Sequence, residues 1–196
     1  MAGIAVFGGS CAALAPEVCA ALDRLGLDYD VLGDLELLRG GLERYRVLVF
    51  PGGYTFECLK LLRAGGSERI RRFVEGGGGY VGICAGAYVA PHIGLTRGRM
   101  IRMRGTYVET VFVVDERHPV VRGFEGEVRM HYQNGPHMVP SGGDHPIALF
   151  RDDTAAIMEC RGMRGKVILF STHPEMLPET MPMLRNAVEY CTVGIP

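Results

Sequence analysis

The chain lacks several things at once, and each absence narrows what it can be. There is no basic excess: 21 Lys and Arg balance 22 Asp and Glu, for a formal charge of -1. That removes the electrostatic pull toward phosphate backbones, so nucleic acid is not an expected partner. No apolar run approaches membrane-spanning length, and the opening Met1-Ala2-Gly3-Ile4-Ala5-Val6 enters an apolar strand without a basic stretch or small-residue cleavage site. These features point to a soluble cytosolic protein. Cys-x-x-Cys is missing, and His92, His118, His131, His137, His145 and His173 never cluster at ligand spacing, so no metal site is expected. The cysteines, Cys11, Cys19, Cys58, Cys84, Cys160 and Cys191, are scattered through apolar patterns and read best as reduced thiols. There is no repeat, linker or low-complexity tail, so residues 1–196 are expected to form a single domain.

What is present is an ordered alternation. Ile4 to Phe7, Tyr29 to Leu32, Val47 to Phe50 and Tyr80 to Ile83 are short apolar runs bounded by glycine or proline, as buried strands are. Between them, Pro16 opens a helix with Val18, Leu22 and Leu25 on one face, and Ser67 is placed to cap another that buries Ile70, Phe73 and Val74 before Gly76. Strand alternating with helix implies a parallel sheet covered on both faces. Glycines 76 to 79 read as a tight helix-to-strand connection. After Gly98 the strands crowd together (Tyr107 to Val114, Val128 to Tyr132, Ile147 to Phe150, Ala155 to Glu159, Val167 to Phe170), and some must be antiparallel. Thr180 and Pro182 start a last helix with Leu184, Ala187, Val188 and Cys191 inward.

Three strand ends carry chemistry. In Gly79-Tyr80-Val81-Gly82-Ile83-Cys84-Ala85-Gly86-Ala87-Tyr88 a buried strand stops at a cysteine and small residues lead into a helix. This is the frame of a nucleophile elbow, where Gly82 and Gly86 leave room for a sharp turn and the helix N-terminus favours the thiolate. A small buried hydrophobe closing a strand is the plainer reading of Cys84, and a partner is needed to choose. Val167-Ile168-Leu169-Phe170-Ser171-Thr172-His173-Pro174-Glu175 offers one, because this strand too ends in polar residues. His173 is the candidate base, and Pro174 favours the extended backbone that lets Glu175 orient the ring. A loop corner followed by a helix-capping acid is the alternative there. At Pro51-Gly52-Gly53-Tyr54 a third strand ends in a turn whose N–H groups can face a substrate; Gly53 and Ala85 N–H are the expected oxyanion pair, with Gly52 adjusting the loop.

Two further loops are assigned to the pocket rim or to plain turns. Gly8-Gly9-Ser10-Cys11 lacks both the Gly-x-Gly-x-x-Gly frame and a Walker lysine. His131-Tyr132-Gln133-Asn134-Gly135 either touches substrate through Asn134 or is an ordinary Asn-Gly turn.

Taken in order, the Pro-Gly-Gly loop, the Gly-Ile-Cys-Ala-Gly elbow and the terminal His-Pro-Glu resemble the class I glutamine amidotransferase superfamily. With the later Tyr-Gln-Asn-Gly, they most resemble the amidotransferase-like N-terminal domain of some biotin-protein ligases. The resemblance implies a flavodoxin-like three-layer sandwich, a mostly parallel central sheet with antiparallel strands in the C-terminal half, and a Cys84, His173, Glu175 triad. It implies a small amide or acyl substrate bound by Gly52, Gly53, Ala85, Tyr54, Tyr88 and Asn134, no cofactor, and a separate synthase or ligase as ammonia acceptor. Where glutaminases of the superfamily carry a glutamine four residues past the nucleophile, this chain has Tyr88; where the protease and deglycase branch carries histidine directly after the cysteine, it has Ala85. A binding module that keeps the pocket without turnover is therefore the second reading. A nucleotide-binding Rossmann-like protein is the third, resting on fold analogy. Paired edge strands and an exposed helix also offer surfaces for a homodimer.

Overall fold

A computed structural model describes residues 3–192. The N-terminal half runs β1 (Ile4–Phe7), α1 (Ala15–Arg24), β2 (Tyr29–Leu32), α2 (Asp34–Leu38), β3 (Val47–Phe50), α3 (Thr55–Leu61), α4 (Ser67–Glu75), β4 (Gly79–Ile83) and α5 (Ala85–Ile93). The remainder runs β5 (Arg99–Arg102), β6 (Thr106–Val113), β7 (Glu127–Gln133), β8 (Pro136–Val139), β9 (His145–Leu149), β10 (Ala155–Cys160), β11 (Val167–Phe170) and α6 (Met181–Thr192).

The strands form one sheet in the order β2-β1-β3-β4-β11-β10-β9-β6-β7, with β8 joining β10 to β5. The first five in that order are mutually parallel. From β11 outward the pairings turn antiparallel. This is the mixed α/β sheet the apolar runs imply, parallel through the five strands that include β4 and β11 and antiparallel beyond them. Strands β1, β3, β4 and β11 are buried along their whole length, because helices cover both faces and leave no solvent side for polar residues. In α1, Val18 and Leu22 are buried as expected, with Leu25 packed partly against the core.

The strand register matters most for function. Phe170 of β11 pairs with Ile83 of β4, and Gly82 of β4 pairs with Phe50 of β3. Three parallel neighbours therefore end at one edge, so the residues following each strand emerge together.

Several expectations need correction. Ser67 does not cap a helix: α3 and α4 are joined through a kinked turn, Leu62–Gly66, in which Gly65 takes φ 115, and Ser67 already has helical φ -57 and ψ -47. Strands β5 and β8 and helices α2 and α3 were not expected. Each is short, 4 to 7 residues, and too brief to show a clear period. Nor are all cysteines reduced thiols. Cys11 and Cys58 form a disulfide with Cα atoms 5.2 Å apart, leaving Cys19, Cys84, Cys160 and Cys191 free. The pairing follows from topology, because β1 and β3 are neighbours and the loop after one meets the helix after the other.

Candidate active site

Cys84 stands between β4 and α5 with φ 51 and ψ -98, a region that side-chain-bearing residues rarely enter. The turn holds because nothing bulky opposes it. A Cβ at Gly82 would lie 2.6 Å from the Tyr80 ring and 2.8 Å from the Gly86 carbonyl, and one at Gly86 would overlap the Phe50 carbonyl. Tyr80 reinforces the elbow from below, its buried hydroxyl donating to the Gly86 carbonyl at 2.9 Å. Cys84 itself is 8% exposed at the floor of a cleft of about 1010 Å³.

His173 leaves β11 on the same edge and is fully buried. Its backbone is fixed by donation from its N–H to the His131 carbonyl at 2.8 Å. Its ring Nδ1 lies 2.8 Å from Glu175 Oε1, and both side chains are inaccessible. Burial by itself would lower the pKa of His173. The Glu175 carboxylate, with hydrogen bonding to Cys84 and Glu175, outweighs it and raises the value to about 10. The ring is therefore an imidazolium at neutral pH, the state that completes an ion pair with a thiolate or protonates a leaving amine.

Gly52 closes the third side. A Cβ there would stand 3.0 Å from His173 Cε1 and 3.5 Å from Cys84 Cβ, so the loop passes directly against both side chains. At Gly53 a Cβ would overlap the Cys11 carbonyl, which also accepts the Tyr54 N–H at 2.9 Å. Among the described residues no backbone hydrogen bond takes up the Gly53 N–H. Ala85 is the first residue of α5, where an N–H has no acceptor within its own helix. Both expected oxyanion donors are thus free.

The other expected residues fare unequally. Tyr54 and Tyr88 line the cleft, and the Tyr88 hydroxyl accepts the Met103 N–H at 3.4 Å. Asn134 also borders it, but its side-chain oxygen is engaged by the Gly105 N–H at 3.0 Å, as the turn reading allowed. The first glycine loop is not an open cradle: the Ser10 N–H meets both Asp34 carboxylate oxygens at 3.2 Å, and a Cβ at Gly9 would overlap that carboxylate. An anion already occupies the place a phosphate would take, which removes the support for the Rossmann-like reading.

Two contributions escaped the sequence reading. Strand β5 and the segment after it bring Met100, Arg102, Met103 and Arg104 to the cleft wall, and Arg102 lies over the Phe56 ring at 6.0 Å. The Gln133 carbonyl accepts from the Cys84 thiol at 3.4 Å and lies 3.4 Å from His173 Nε2. No sequence pattern announces a backbone oxygen.

The parallel sheet edge sets a cysteine elbow beside a histidine and a carboxylate, and the chain belongs to the class I glutamine amidotransferase family. It is 30% identical over 181 residues to the pyridoxal 5'-phosphate synthase subunit PdxT of Koribacter versatilis (strain Ellin345), spanning 84% of this chain and 88% of that protein. The family model for the N-terminal region of biotin-protein ligase matches residues 42–98, which contain both the glycine loop and the elbow. Among solved structures, PurLQS from Thermotoga maritima superposes with TM-score 0.80 at 18% identity, covering 97% of this chain and 99% of that one. A glutamine amidotransferase from the same organism gives TM-score 0.66 at 15% identity, covering 100% and 88%. These two likenesses concern the fold. Among the described residues, no helix is long and apolar enough to cross a membrane, and no group of three or more His, Cys, Asp and Glu is placed to hold a metal ion.

Proposed function

We propose that the chain is a cysteine-dependent amidotransferase-like enzyme that cleaves or transfers the acyl part of a small amide through a thioester. The observation that carries this reading is the buried His173 and Glu175 pair, 2.8 Å apart, at the strand end next to the one that bears Cys84. In the reaction the Cys84 thiolate adds to the carbonyl carbon, and the negative oxygen is held by the Gly53 and Ala85 N–H groups. Collapse expels the amine with a proton from His173 Nε2, leaving an acyl thioester and a neutral imidazole. Water then attacks the thioester as His173 takes its proton, and the acid and the free cysteine are regenerated. Tyr54, Tyr88 and Gly52 bound the acyl group.

The curated relative is named a synthase subunit. By extension, the amine released here goes to a separate synthase or ligase. Ammonia release measured across a panel of primary amides, glutamine included, tests the reading. Turnover by wild type and loss in Cys84→Ala is the expected pattern, and equal turnover by both removes the claim. A binding module without turnover is favoured by one observation, the Gln133 carbonyl standing against both reacting groups.

A further inference from the structure

Cys84 and His173 both face an atom that is not substrate. The Gln133 carbonyl oxygen accepts from the Cys84 thiol at 3.4 Å and from His173 Nε2 at 3.4 Å, so the two groups that must work on each other are both turned to a third. An acceptor shared in this way competes for the donors of both groups. Gln133 lines the same cleft as Cys84.

The carbonyl is held there by a built turn. Asn134 takes the left-handed conformation, φ 55, which tips the preceding peptide bond. Its N–H donates to the Gly105 carbonyl at 2.9 Å, and its side-chain oxygen accepts from the Gly105 N–H at 3.0 Å, a two-point clamp on the segment between β5 and β6. On the other side the Tyr132 hydroxyl donates to the Gly135 carbonyl at 2.7 Å, and Gly135 packs so closely on the Ser171 carbonyl that a Cβ would overlap it. The same segment thus touches both the cleft wall and the strand that delivers His173.

From this geometry we infer that Gln133 is a gate on the proposed reaction: its carbonyl occupies the nucleophile in the resting state, and Asn134 is the positioning residue whose grip on Gly105 keeps it there. The inference rests on the triad reading above. Opening is a rotation or withdrawal of the peptide bond between Gln133 and Asn134, which releases the Cys84 S–H and His173 Nε2 from the shared acceptor and lets the thiol proton leave to solvent. No bond to carbon forms or breaks in that step.

The test is the second-order rate of Cys84 alkylation by iodoacetamide at fixed pH in wild type, Asn134→Gly and Asn134→Asp, with thermal unfolding run alongside. Glycine keeps the left-handed backbone but loses the side-chain grip, and alkylation about five-fold faster is expected, the population change for one lost hydrogen bond. Aspartate keeps an acceptor for the Gly105 N–H and should return the rate to that of wild type. Should Asn134→Gly prove folded and alkylate no faster than wild type across pH 6 to 9, taken as about the range in which a thiol titrates, the gate is overturned. That failure is distinct from failure of the triad, which is read from turnover in Cys84→Ala.

Discussion

Replacing Glu175 by glutamine separates charge from geometry at the core of the proposed mechanism. Glutamine keeps an acceptor oxygen for the His173 Nδ1–H but removes the negative charge, 2.8 Å away, that is the largest contribution opposing the burial of the ring. With that charge gone, burial is opposed far less, and His173 should fall from about 10 toward the ordinary imidazole range. A buried ion pair broken at one end costs about 3–5 kcal/mol. The pH dependence follows from the sign of the shift. A raised folded pKa contributes stability that is complete below the unfolded value and is lost as pH rises through about 10. The stability gap between wild type and Glu175→Gln should therefore be widest below about pH 6.5 and close as the pH approaches 10. Turnover should drop by about 10²–10⁴ through loss of the positioned proton donor. Denaturant melts at stepped pH and an NMR titration of the His173 ring measure both parts. A ring in Glu175→Gln that still titrates near 10, or a stability gap independent of pH, would refute the assignment of the shift to the carboxylate.

Two further outcomes test the scaffold around the site. Cys58→Ser removes the link to Cys11 and should cost about 2–4 kcal/mol, with wild type showing a matching fall in Tm on reduction; an unchanged Tm in strong reductant argues against the bond. Gly86→Ala sets a methyl group against the Phe50 carbonyl and should destabilise by about 1–3 kcal/mol while abolishing Cys84 alkylation, read by calorimetry and mass spectrometry. Full reactivity in that variant would mean the elbow does not need its glycine.

Much of this architecture was legible because period and punctuation agree along the chain. The apolar runs at Ile4, Val47, Tyr80 and Val167 are strands because every residue in them is buried, and their polar exits mark one sheet edge. What the sequence concealed was either short or made of backbone. Strand β5, with only Met100 and Ile101 between arginines, shows no period, yet it supplies a cleft wall. The disulfide joins positions 47 apart that only strand order brings together. Ser67 has the chemistry of a cap, but the helical path running in from α3 leaves it no free end to serve. Asn134 illustrates the limit most sharply, since its type fits a turn or a ligand equally, and only the Gly105 contact decides which of its atoms is spoken for.

The pairing of β4 with β11 carries a consequence for biogenesis. Ile83 and Phe170 are partners in register although most of the antiparallel half of the molecule is translated between them. A chain emerging from the ribosome therefore displays its cysteine long before its imidazole exists, and β11 must insert beside a strand that has been waiting with one side unpaired. Such late, long-range closure is slow relative to local folding. In the proposed reaction, chemistry is thereby deferred until synthesis of the last strand, since a truncated nascent chain carries Cys84 without His173.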